Sequence, residues 1–194
     1  AENVLIEAVD AIIAQAGEDE TLTKLLIDFT MEKTDDDKSW DISREILETG
    51  RLVLNENNRN EITHFHDKSI AEFVEIKNKL SGACKDLEKQ TIVFAEDALL
   101  LIDKNGIDVK SFSRGTFPNH ITSIQQGKFN PKNKMFREFD DIAINKTAKD
   151  RAIIENLIPE FLQILSKVYS TFEKINFYKA FLKNITPLSL LNTV

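Results

Sequence analysis

Apolar residues recur along this chain at steps of three and four, the period of helices that bury one face. Leu5, Val9, Ile12 and Ala16 share such a face over residues 3–16, and Gly17 ends the pattern. Leu22, Leu25, Leu26 and Phe29 repeat it over 19–33. There Glu18, Asp19 and Glu20 stand at the positive end of the helix dipole and Lys33 at the negative end. Ile42, Ile46, Leu47, Val53 and Leu54 mark a third helix over 41–55. The run NENNRN then interrupts it, because asparagine side chains compete for backbone hydrogen bonds.

Two longer patterns dominate. Ile70, Phe73, Leu80, Cys84, Leu87, Phe94, Ala98 and Leu101 predict one helix over about 68–102, roughly 50 Å long at 1.5 Å per residue. Asp67 or Ser69 can cap it, Gly82 is a weak point within it, and Asn105-Gly106 ends it. Lys77 and Thr91 are the polar exceptions on its apolar seam. A second long helix is expected over about 148–184, carried by Ile154, Ile158, Phe161, Leu165, Val168, Phe172, Ile175 and Leu182. Pro159 either starts or kinks it, and the tail NITPLSLLNTV is expected to pack back. Between them, 103–134 reads as an irregular insertion with at most a short helix near 119–126, followed by helix over 134–146. The fold expected is a single all-α domain over 1–194, an antiparallel bundle of five to seven helices.

Composition sharpens this picture. Six Gly and four Pro in 194 residues suit long helices rather than a turn-rich β fold. One cysteine, Cys84, excludes an internal disulfide framework, and no apolar run is long enough to span a membrane. With no signal peptide visible, a cytoplasmic location is expected. The net charge of −7 is unevenly spread. Residues 104–137 carry Lys104, Lys110, Arg114, Lys128, Lys132, Lys134 and Arg137 against Asp108 alone. Phe112, Phe117, Phe129 and Phe136 are interleaved with these cations. Cations for phosphates and rings for bases make a single-stranded RNA surface one expectation; phenylalanines anchoring a lysine-solvated loop are the ordinary alternative.

The stretch NNRNEITHFHDKS holds two of the three histidines. Glu61-x-x-His64 and His64-x-His66 have spacings seen at metal sites. A two-metal site lacks its second ligand set, while a single-metal site of His64, His66 and Asp67 stays open. The ordinary alternative is a polar helix connection in which Arg59 pairs with a nearby carboxylate and His64 and His66 are surface or capping residues, so no metal and no cofactor is expected. Arg59, Asn60 and His64 form R-N-x(3)-H just before the first long helix. This resembles the R-x(4–6)-H signature of HEPN domains, small all-α bundles. Arg114 to His120 also fits the spacing, but Gly115 and Pro118 deny it the same helical setting.

The resemblance covers at most residues 1–102. It implies a dimer that cleaves RNA without metal or only binds it. His64 would move a proton from a ribose 2′-hydroxyl, and Arg59 would hold the phosphate. Two further readings stand beside it. One is a non-catalytic interaction module that meets a partner protein through its helical faces, such as a scaffold, sensor or immunity-type partner. The other is a peripheral membrane or pore-forming helical protein.

Overall fold

The computed structural model describes residues 2–35, 41–130, 133–136 and 142–193. The fold is all-α. Its helices are α1 (Glu2–Ala14), α2 (Glu20–Asp35), α3 (Ile42–Val53), α4 (Arg59–Thr63), α5 (Ile70–Lys104), α6 (Thr116–Gln125) and α7 (Arg151–Leu191). Extended pairing among the described residues is limited to two isolated bridges, Ala16 with Asp19 and Phe112 with Ile144. No described helix is long and apolar enough to cross a membrane.

Ser69 sets the start of α5. Its backbone N–H donates to Glu72 Oε2 at 2.8 Å while its hydroxyl accepts from the Glu72 N–H at 3.4 Å. This reciprocal capping box satisfies donors that the first turn would otherwise leave open. Gly106, at φ +62°, ends α5; the Ile107 N–H then returns to Ile102 O at 3.1 Å.

The sequence reading treats the chain as one domain; its contacts group it into two compact units. The first comprises Ala1–Ser81 and Lys179–Val194, the second Gly82–Tyr178. In the first, Val9, Ile12, Leu22, Phe29, Ile46 and Leu190 are buried together. In the second, Ala98, Phe112, Phe117, Ile121, Phe161 and Leu165 form the centre of a larger core. Each such buried Leu, Ile or Phe contributes about 1.5–3 kcal/mol relative to exposure.

Within each unit α5 and α7 run antiparallel. In the first, Lys77 Nζ donates to Thr186 Oγ1 at 3.1 Å, and Asn192 Nδ2 donates to Lys68 O at 2.7 Å. In the second, the Thr91 hydroxyl meets that of Thr171 at 2.8 Å, which donates onward to Val168 O at 2.9 Å. The two polar residues on the α5 seam are therefore satisfied. Lys77 also reaches Glu32 of α2 at 2.5 Å.

Four expectations change. Residues 103–130 are no appended insertion: α6 buries Phe117, Ile121 and Ile124 in the second core. Residues 142–146 are not helical; Ile144 instead bridges to Phe112, and the last helix begins at Arg151. That helix runs through both Pro159 and Pro187, so Pro159 does not start it. The apolar tail extends it, burying Ile185 and Leu190.

Two glycines in helices are expected to respond oppositely to a methyl group. At Gly82 nothing lies within 4 Å of an added Cβ, so Gly82→Ala should stabilise by about 0.5–1 kcal/mol. At Gly50 the added Cβ runs into Leu5 Cδ1, with Cδ2 at 3.0 Å and Cγ at 3.1 Å, so turning the Leu5 methyls about χ2 alone does not clear it. Gly50→Ala should destabilise by about 1–3 kcal/mol. Urea denaturation of both variants checks the pair.

Candidate functional site

Asparagines shape the segment that carries Arg59. Asn55 accepts from the Asn57 N–H at 3.0 Å, and Asn58 Nδ2 donates to Leu52 O at 3.0 Å near the end of α3. Arg59 then opens α4, Asn60 follows, and His64 closes it as the C-cap residue. All three side chains are exposed. Residues five apart on a helix sit about 140° apart, and of Arg59 and His64 only Arg59 lines the neighbouring cavity.

Arg59 lines a cavity of about 440 Å³ together with His66. Asn60 and His64 do not line it. Ile62, Phe65, Leu188 and Leu191 supply its apolar walls, each half-buried. Phe65 is held by ring contacts to Phe73 at 6.0 Å and Phe181 at 6.3 Å. The cavity thus joins Arg59 to the histidine without a role in the sequence reading. His66 sits one helical turn beyond Thr63, which also lines the wall, and its Nδ1 lies 3.3 Å from Asp67 Oδ1. Among the described residues no three His, Cys, Asp or Glu side chains gather as a metal site.

Of the two readings of the basic segment, the loop anchored by phenylalanines holds for Phe112 and Phe117. Phe112 and Phe117 are 0% and 2% exposed and cluster with Phe161, at ring distances of 5.4 Å between the first two and 5.1 Å from Phe117 to Phe161. They are core rings and offer no face to a base. Phe129 is half-buried against the same core. The cations behave otherwise. Lys110, Arg114, Lys128 and Lys134 are all exposed; Lys132 and Arg137 lie outside the described residues.

The backbone that presents Lys110 and Arg114 is tied on several sides. Asp150, buried at the start of α7, accepts from the Asp108 N–H at 2.9 Å and the Ser111 hydroxyl at 2.8 Å. Those bonds hold its carboxyl below the ordinary value of 3.8, so it stays charged. Ser113 N donates to Ala143 O at 2.8 Å and Asn145 N to Ser111 O at 2.9 Å. Asn145 Nδ2 donates to Lys110 O at 2.5 Å. Within this clamp Arg114 adopts φ 55°, ψ 17°, the left-handed region, followed by Gly115 at φ 62°. Arg114 is the described non-glycine residue with positive φ, a conformation that costs on the order of 1 kcal/mol. Among the described residues no carboxylate pairs with Lys110, Arg114 or Lys128.

No protein-family model, curated protein or solved structure matches this chain.

His120, third of the histidines, is 4% exposed on α6. Burial pushes its imidazole down from 6.5 to about 4, so it is neutral at neutral pH. The unfolded chain binds this proton first as pH falls from 6.5 towards 4. The folded state should therefore lose stability across that window, by up to roughly 3 kcal/mol. Thermal melts of wild type and His120→Gln between pH 7 and pH 4 should show a steeper decline for wild type. Parallel declines would contradict it.

Proposed function

We propose that the second unit binds single-stranded nucleic acid by its phosphates, with Lys110, Arg114 and Lys128 as contacting cations. The observation that carries this reading is the clamped Lys110–Gly115 turn. It holds an exposed arginine in a strained conformation, with no carboxylate to neutralise it among the described residues. Exposed guanidinium and ammonium groups on a fixed backbone suit phosphate oxygens, with little ordering left to lose on binding.

Charge distribution supports the same assignment. The first unit holds nineteen acidic residues against eleven basic ones; the second holds thirteen against fourteen. A polyanion is repelled by the former and tolerated by the latter. Because Phe112 and Phe117 are core, binding is expected to be largely indifferent to base sequence. Cleavage by an HEPN-like arrangement of Arg59, Asn60 and His64 is not part of this reading, since Arg59 lines a cavity that His64 does not share.

Fluorescence anisotropy with labelled oligo-U and oligo-dT tests the proposal. Neutralising about three phosphates on a single strand predicts a slope near −2 in log K against log salt. Lys110→Gln/Arg114→Gln/Lys128→Gln should weaken binding about tenfold at low salt and flatten that slope. Arg59→Gln should leave it unchanged. Wild-type affinity in the triple variant would overturn the reading. The two oligonucleotides separate RNA from DNA as the preferred strand.

A further inference from the structure

The cavity beside α4 lies wholly in the first unit and takes no part in phosphate binding by the second. At about 440 Å³ it falls within the size range of small-molecule sites. Its walls combine two chemistries. Ile62, Phe65, Leu188 and Leu191 are half-buried apolar side chains that face one concave space. Arg59 and His66 line the same space, with His66 Nδ1 3.3 Å from Asp67 Oδ1.

Arg59 is unlike the paired cations of its unit, although Lys24 and Lys183 also have no carboxylate partner among the described residues. Lys33 pairs with Glu45 at 3.2 Å, Arg51 with Glu2 at 2.7 Å and Lys77 with Glu32 at 2.5 Å. Among the described residues no carboxylate pairs with Arg59, although acidic side chains outnumber basic ones throughout the unit. A guanidinium on an apolar wall lacks only an anion that brings its own apolar body. Its planar fork matches a carboxylate by two parallel hydrogen bonds. A nucleic-acid strand is a poor alternative here: it has many charges, in an acidic unit, and no aliphatic body to fill the walls.

We propose that this cavity binds a small amphipathic carboxylate, with Arg59 and His66 at the carboxylate and the aliphatic chain against Ile62, Phe65, Leu188 and Leu191. Apolar burial supplies most of the affinity, and Arg59 supplies the choice of head group.

Decanoate, decanol and decylamine share one chain and differ in charge. Isothermal titration of each against the full chain measures the preference, and methyl NMR spectra locate the ligand. Wild type should bind decanoate about tenfold more tightly than decanol, a difference that one charge-assisted hydrogen-bond pair can supply. Shifts should centre on the methyls of Ile62, Leu188 and Leu191. Arg59→Gln should erase the preference, and Arg59→Glu should transfer it to decylamine. Arg59 is exposed, so neither change disturbs a core; far-ultraviolet circular dichroism confirms that the helices persist. Equal binding of decanoate and decanol to wild type would overturn the proposal. So would a preference that survives Arg59→Gln, shifts at other methyls, or no binding of decanoate at all.

Discussion

The burial of α5 and α7 along their lengths is the constraint from which the rest follows. At 41 residues α7 extends about 60 Å, further than one small core can cover. It therefore supplies Ile154, Phe161, Leu165, Val168 and Phe172 to one core and Leu190 to the other. The shorter helices exist to complete those burials. In the first unit α1, α2 and α3 close over Phe29, Ile46 and Leu190; in the second α6 and the Phe112 turn close over Phe161. A stripe this long also passes through polar residues, and each needs a partner. Lys77 finds Glu32 and Thr186, and Thr91 finds Thr171, so neither leaves an orphaned group inside.

Periodicity made the long helices readable because each presents many turns of the same signal. The predicted 68–102 is observed as Ile70–Lys104, and of the two caps open from the sequence, Asp67 and Ser69, the structure uses Ser69, boxed with Glu72. Residues 103–150 were less readable for a physical reason. The described part of this segment is held by partners far away in sequence: Asp150 with Asp108 and Ser111, Ile144 with Phe112, Asn145 with Lys110. No local period encodes such ties. Of the two readings of the interleaved phenylalanines, a stacking surface or anchors for the loop, the anchoring one holds for Phe112 and Phe117.

The candidate sites were legible only in part. Arg59 stood out by type and neighbourhood, but its companion in the cavity is His66 rather than His64. That outcome depends on where a five-residue helix stops and which way the chain leaves it. The left-handed Arg114 had a sequence trace in the adjoining Gly115, although nothing local announced that the arginine itself would take that conformation. Asp150 carries no local signal of its role; that it fixes the Lys110–Arg114 turn is visible only in the fold.

Together these features describe an all-α protein in which Lys110 and Arg114, two of the cations proposed to meet phosphates, sit on a turn fixed by a buried carboxylate. The histidine of the HEPN-like motif has no part in that surface. A nitrogen-15 NMR titration with a short uridine oligonucleotide maps this most directly. Amide shifts are expected at residues 109–115 and 126–128, with 59–66 unmoved. Shifts confined to 59–66 would contradict the account and return attention to Arg59 and His64.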